Sequence, residues 1–105
     1  MKTTQNLLIF GGSSARMNKV KSYLSQIENI EITEVFNEED GIKKLELSDK
    51  NLFDLILIGG RYTNEQRDRI KLSANKTPIT QPGIDYPYSD ENIYLHINKL
   101  LHPKN

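Results

Sequence analysis

Two short apolar runs in this sequence each end in a pair of glycines. Asn6–Phe10 is followed by Gly11-Gly12, and the more apolar Phe53–Ile58 is followed by Gly59-Gly60. An apolar run of about four to eight residues that ends at turn residues is typical of a strand buried on both faces. Such strands belong to parallel sheets, because helices cover both faces of a parallel sheet. The two runs therefore predict the centre of a parallel sheet.

The rest of the chain alternates between extended and helical patterns. We predict two further strands, Ile30–Phe36 and Thr77–Thr80. We predict four helices: the first over Ser14–Ile27, the second beginning at Asn37, the third over Asn64–Ala74 and the fourth beginning at Ser89. Apolar residues three or four positions apart predict the inward stripe of a helix. The expected inward residues are Met17, Val20, Leu24 and Ile27 in the first helix, Ile42, Leu45 and Leu47 in the second, and Ile93, Ile97, Leu100 and Leu101 in the last. We expect the tail, His102–Asn105, to be frayed.

Four strand–helix units in series predict right-handed crossovers between parallel strands. The expected fold is therefore α/β, a three-layer α/β/α arrangement around a short parallel sheet of four strands. The expected strand order is 2-1-3-4, a reduced flavodoxin-like arrangement. We expect the first and last helices on one face and the second and third on the other. A length of 105 residues predicts one domain, residues 1–105.

The composition argues against several classes of function. The chain has no cysteine, which excludes disulfides and thiol chemistry and is what a cytoplasmic address permits. Fourteen basic and fourteen acidic residues cancel, so we expect no nucleic-acid partner. No apolar run is long enough for a membrane span, so we expect no membrane partner. His96 and His102 have no acidic residues at ligand spacing, and we expect no metal, no cofactor and no catalytic residue.

The two diglycine turns mark the place where a ligand would bind. In open α/β sheets ligands lie beyond the carboxyl ends of the strands, at the point where the strand order reverses. The candidate anion site comprises Gly11, Gly12, Ser13, Ser14, Arg16, Gly59, Gly60 and Arg61. Free N–H groups at the start of the first helix and two arginines would hold a phosphate or carboxylate there. The alternative is that the glycines only make turns, the serines only cap a helix, and Arg61 and Arg67 are solvated surface groups.

A second candidate surface lies in the segment Gln81–Ser89, where Pro82, Gly83 and Pro87 predict an irregular loop. Tyr86 and Tyr88 in this loop are candidate residues for contact with a partner, because exposed aromatic side chains often anchor interfaces. The alternative is that one or both tyrosines cover the end of the last helix.

The sequence resembles a response-regulator receiver domain over most of its length. The similar segments are Leu7–Phe10, Phe53–Ile58 and Asp85–Ile93. The resemblance implies a phosphate-receiving site, but its acids are absent. Gly11 and Gly12 stand at the positions of the two metal-binding acids, Gly59 at that of the phosphoacceptor aspartate, and Tyr86 at that of the lysine; only Thr80 matches, at the position of the hydroxyl residue.

The chain is also similar to the IIB components of sugar phosphotransferase systems, which are four-stranded. Between Thr80 and Asp85 there is no room for the additional helix and strand of a receiver, so the receiver resemblance points to a shortened, four-stranded relative. Leu57–Tyr62 is similar to that family's third strand and following loop. The family's phosphorylated cysteine would lie within Gly11–Met17, where this chain has none.

These features favour a non-catalytic, receiver-like signalling module that works through a protein partner or as a homodimer. The alternative is a small-molecule module that binds a phosphorylated ligand or nucleotide at the loop Gly11–Arg16. An enzyme is the least favoured reading, because the chain offers no paired acid and base at a recognisable spacing.

Overall fold

Strands and helices alternate along the chain in the predicted order. The computed structural model describes residues 4–46, 53–74 and 77–101. The elements are β1 (Gln5–Phe10), α1 (Ser14–Leu24), β2 (Ile30–Val35), α2 (Glu38–Glu46), β3 (Leu55–Ile58), α3 (Asn64–Ala74), β4 (Ile79–Thr80) and α4 (Asp90–Leu101). Within these ranges, none of the helices has the length and apolarity needed to cross a lipid bilayer.

The four strands form one parallel sheet in the order β2-β1-β3-β4. Leu7 in β1 lies opposite Ile32 in β2 and Leu55 in β3, so the three strands end close together at the carboxyl edge of the sheet. The predicted α/β class, strand number and strand order are confirmed. The chain has the three-layer, flavodoxin-like arrangement.

Alternate residues of β1 face the two helical layers. Leu7 and Ile9 point toward α1 and α4, where Leu24 and Ile97 are buried. Leu8 and Phe10 point toward the other layer, in which Ile70 of α3 is buried. Both faces of β1 and β3 are covered, which explains why their sequences are apolar without alternation. The edge strand β2 is only partly buried, as its alternating sequence predicts.

Side chains fix the beginning of each helix as the sequence indicates. The Ser13 hydroxyl accepts a hydrogen bond from the Arg16 N–H, and the Ser89 hydroxyl accepts one from the Asn92 N–H. Because these side chains satisfy N–H groups that lack an intrahelical partner, they define where α1 and α4 start. The same arrangement opens α2 at Asn37. A reciprocal pair of bonds between Thr63 and Gln66 opens α3.

Several predicted boundaries and inward residues differ from the structure. The helix α1 ends at Leu24, three residues early, and Asn29 follows with a positive φ of 62°. Ile27 is nevertheless buried. Leu100 was predicted to face inward but is 49% exposed, because the buried stripe of α4 follows residues four apart and Leu100 lies beside it. The predicted inward position of Leu47 and the frayed tail lie outside the described residues.

Candidate functional site

The two diglycine turns meet at the carboxyl edge of the sheet. The Gly59 N–H donates a 2.8 Å hydrogen bond to the Phe10 carbonyl oxygen, and the Gly11 N–H donates a 2.9 Å bond to the Val35 carbonyl oxygen. A Cβ atom on Gly59 would lie 3.9 Å from the Cα of Gly11. The structure therefore brings the predicted glycines together, and they leave the switch point between β1 and β3 without side chains of their own.

The start of α1 lies directly above this place. Ser13 is extended, with φ −156° and ψ 157°, and its hydroxyl oxygen accepts the Arg16 N–H at 3.3 Å. Ser14 is the first helical residue and its side chain is exposed. The N–H groups of the first helical turn have no intrahelical carbonyl partner. The capping role proposed as the alternative for the serines is thus present, and the helix dipole at this end favours negative charge.

Arg16 is bound within the chain. Its Nη2 atom donates to the Asp90 carboxylate at 2.8 Å and to the Tyr88 hydroxyl at 2.9 Å. Its guanidinium carbon lies 5.1 Å from the centre of the Tyr88 ring. The Tyr88 hydrogen bond raises the pKa of Arg16 above its ordinary value; desolvation opposes it, and the Asp90 hydrogen bond adds a smaller increase. Arg16 therefore connects α1 to the beginning of α4 across the carboxyl edge.

Arg61 lies across the first diglycine turn. Its Nη1 atom donates a 3.2 Å hydrogen bond to the Gly12 carbonyl oxygen. A Cβ atom on Gly12 would lie 2.2 Å from the Cδ atom of Arg61, so only glycine permits this close approach. Arg61 is exposed. The structure thus places both predicted arginines at the candidate anion site, each of them already hydrogen-bonded to protein atoms.

Two cavities of different chemistry flank Gly12. One has a volume of about 210 Å³ and polar walls that include Asn37, Glu38 and Gln66, with Arg61 at its rim. The other has a volume of about 60 Å³ and mainly apolar walls, and it lies between the sheet, α1 and α4. Arg61 lies at the boundary of both cavities.

Arg67 is a buried residue, and its predicted place on the surface is wrong. Only 4% of it is exposed. Its guanidinium donates to the carbonyl oxygens of Tyr62 at 3.0 Å and Gly59 at 2.8 Å, and to the Gln81 side-chain oxygen at 3.1 Å. Burial lowers the pKa of Arg67, with a smaller opposing effect of Asp85. Arg67 thus joins the β3 turn to the end of β4.

The two loop tyrosines have different environments. Tyr88 is 44% exposed, as a contact residue requires. Tyr86 is 9% exposed and belongs to the core between the sheet and α4, so the prediction that it is part of an exposed surface is wrong. Its ring stacks on the His96 ring with centres 3.7 Å apart, and its hydroxyl lies 2.9 Å from that of Thr80. The alternative, that a tyrosine covers the last helix, describes Tyr86.

Three acidic side chains near the carboxyl edge are each bound to another group. Asp90 pairs with Arg16, the Asp85 carboxylate accepts the Gln81 N–H at 3.0 Å, and Glu38 pairs with Arg69. The Arg69 hydrogen bond holds the pKa of Glu38 below its ordinary range. Among residues 4–46, 53–74 and 77–101, no three His, Cys, Asp or Glu side chains are grouped as a metal site requires.

Sequence reasoning missed two features of this edge. One is the burial of Arg67, for which the only signal was its position at the end of the first turn of α3. The other is the pair formed by Arg16 and Asp90, which are 74 positions apart. Neither contact follows from local spacing, because each depends on how the helices pack on the sheet.

The fold and this edge define a class: a four-stranded, parallel, flavodoxin-like α/β domain whose strand turns carry glycines. No protein-family model matches the chain, and the search of curated proteins found no match.

Proposed function

We propose that this chain is a non-catalytic, receiver-like module that acts through protein contacts at the carboxyl edge of its sheet. The observation that carries the proposal is the contact between Gly59 and Phe10, which leaves backbone atoms and no reactive side chain at the switch point. Acyl and phosphoryl transfer require a nucleophile or positioned acids. The nearby arginines and acids are already bound to protein groups.

The same edge presents apolar side chains to solvent. Phe36 follows β2 and is 43% exposed, Ile84 is 55% exposed, and Tyr88 is 44% exposed. All three lie on loops that the sheet holds in place, and such loops carry binding function in many folds. Large aromatic side chains contribute strongly to interfaces. We name Phe36, Ile84 and Tyr88 the carboxyl-edge surface.

The partner that we propose is a second copy of the chain, in the cytoplasm. The formal net charge is zero, so no long-range repulsion keeps two copies apart. A contact centred on the carboxyl-edge surface would cover three exposed apolar side chains in each copy. The expected complex is a symmetric dimer, because the same surface then serves both copies.

Light scattering across a concentration series tests this proposal. We expect a dimer that Tyr88→Ala weakens by about tenfold or more, the loss typical of a central aromatic residue. Leu72→Ala is the matched control, because Leu72 is 83% exposed near the end of α3, away from the carboxyl edge. Self-association that both variants weaken equally would contradict a dimer contact at the carboxyl-edge surface. A monomer at every concentration would contradict it as well.

Incubation with acetyl phosphate and Mg²⁺ tests the non-catalytic part separately. We expect no covalent phosphorylation by intact-mass measurement, since Gly59 stands at the position that the receiver resemblance assigns to the phosphoacceptor. A mass increase of one phosphoryl group would contradict the proposal whatever the oligomeric state.

A second candidate function is the binding of a phosphorylated ligand in the polar cavity of about 210 Å³. The observation that favours it is the exposed side chain of Arg61, which lines this cavity and donates a hydrogen bond to the Gly12 carbonyl oxygen. A thermal-shift panel with phosphate, nucleotides and flavin mononucleotide tests it. A ligand at about 100 times its dissociation constant stabilises by about 2.7 kcal/mol, and Arg61→Gln is expected to remove any such shift.

A further inference from the structure

The Tyr88 side chain forms part of the wall of the smaller cavity. Its volume is about 60 Å³, and it lies between α1, α4 and the carboxyl ends of β1 and β3. Its apolar walls are formed by the side chains of Ile9, Met17, Val20, Leu57 and Ile93. Arg16 and Tyr88 contribute the polar groups of the lining. Ligand pockets are mostly apolar with a few polar groups that fix the orientation of the ligand, and this cavity shares that pattern on a smaller scale.

The Tyr88 ring rests against two residues that lack side chains. A Cβ atom on Gly60 or on Gly83 would lie 3.7 Å from the ring. The ring is otherwise held by the Arg16 guanidinium. Because the ring is 44% exposed, its displacement exposes little buried surface. The ring can therefore move without rearrangement of α1, α4 or the sheet.

Arg16 already holds one carboxylate. Asp90 accepts a hydrogen bond from Arg16 at 2.8 Å, and the charge-assisted bond is of the kind that a ligand acid would make. Asp90 is also the first residue of α4, where the helix dipole favours its negative charge. When a ligand carboxylate replaces Asp90 on Arg16, the helix dipole at the start of α4 therefore still stabilises the charge of Asp90.

We propose that this cavity binds a small monocarboxylic acid with an apolar body, the acid on Arg16 and the body inside the walls of Ile9, Val20 and Ile93. Transfer of a phosphate or sugar into these walls would leave polar groups without hydrogen bonds, which disfavours both. The inference goes beyond the protein-contact function and does not depend on it.

The cavity volume limits the size of the ligand. A cavity of about 150 Å³ accommodates benzene. At about 60 Å³ the cavity takes only a short aliphatic group, and a larger body requires the Tyr88 ring to move. The probe that fits these limits is 3-methylbutanoate, which carries a branched four-carbon chain on its carboxyl carbon.

Titration of the full chain with 3-methylbutanoate, followed by NMR of backbone and methyl groups, tests the site. We expect saturable shifts at Val20, Leu57 and Ile93, with a Kd of about 1 mM for so small a ligand. The neutral 3-methylbutanamide is the matched probe and should bind about tenfold more weakly, because it cannot form the ion pair. Inorganic phosphate, an anion without an apolar body, should not shift these residues.

Variants separate the site from general anion binding. Arg16→Gln should weaken 3-methylbutanoate by about tenfold and leave the amide unchanged, whereas Lys19→Gln removes an exposed cation from the same helix and should change neither. The acid–amide comparison needs no variant, so it stands if Arg16→Gln does not fold. No saturable shift, equal binding of acid and amide, phosphate shifts at these residues, or equal loss in both variants would each overturn the proposal.

Discussion

The Gly59 N–H bonds to the Phe10 carbonyl oxygen at 2.8 Å, and a Cβ atom on Gly59 would lie only 2.9 Å from that same oxygen. The β3 turn is therefore pressed against the end of β1, backbone to backbone. Gly60, the next residue, has no such restriction, since its Cβ atom would meet only the Tyr88 ring at 3.7 Å. Two adjacent glycines thus have different roles.

Alanine substitutions at these two glycines should have opposite effects. Gly59→Ala should lower the free energy of unfolding by about 1–3 kcal/mol, because the backbone oxygen of Phe10 cannot move away as a flexible side chain would. Gly60→Ala should raise it by about 0.4–1 kcal/mol through the lower entropy of the unfolded chain. Urea denaturation measures both. Equal effects would show that the two turns do not touch in solution.

Replacement of Gly41 in α2 by alanine should also destabilise the protein, although alanine has the higher helix propensity. A Cβ atom there would lie 1.9 Å from the Phe10 ring. Alanine favours an exposed helix position by about 1 kcal/mol over glycine, but overpacking costs about 1–3 kcal/mol. We expect Gly41→Ala to destabilise the protein in urea denaturation, and Phe10→Leu to relieve part of that loss in the double variant. Additive effects of the two substitutions would contradict the contact.

Much of the fold followed from residues that act locally. The apolar runs of β1 and β3 and the capping side chains of Ser13, Thr63 and Ser89 each specify an element without reference to distant residues. The candidate site was located by topology alone, because parallel strands place their turns at one edge. Arg67 was misplaced because its three hydrogen-bond acceptors come from two loops, one before α3 and one after β4, and no spacing in the sequence indicates that these loops meet.

Arg67 should be among the most sensitive polar residues of the chain. Arg67→Met leaves three buried oxygen acceptors without a donor, and we expect a loss of about 2–4 kcal/mol in the free energy of unfolding. Arg67→Lys should also lower the free energy of unfolding, since the compact ammonium group cannot replace the separated donors of a planar guanidinium. Lys71→Met, on the same helix but exposed, is the control and should leave the urea midpoint unchanged. A tolerated Arg67→Met would contradict the described burial.

Alkaline pH should destabilise the protein through two buried phenols. Burial raises the pKa of Tyr86 and of Tyr62 above their ordinary value of 10.0. Near and above pH 10 the unfolded chain loses these protons while the folded chain keeps them, so the stabilisation that is complete below pH 10 is lost as pH rises through the folded pKa values. Tyr86→Phe should therefore flatten the fall in stability above pH 10.

Tyr86→Phe should also lower the free energy of unfolding at neutral pH, and this loss can be measured separately from the effect at alkaline pH. The Tyr86 hydroxyl lies 2.9 Å from the buried Thr80 hydroxyl, and its removal should cost about 1 kcal/mol at pH 7. Urea midpoints measured from neutral to alkaline pH give the loss of stability at pH 7 and the fall in stability above pH 10. They are measured for Tyr86→Phe, Tyr62→Phe and the double variant. We expect each single variant to lower the alkaline slope and the double variant to lower it further, because the two phenols lie in different core layers. An alkaline slope that none of the three variants changes would mean that both phenols titrate equally in the folded and unfolded chains.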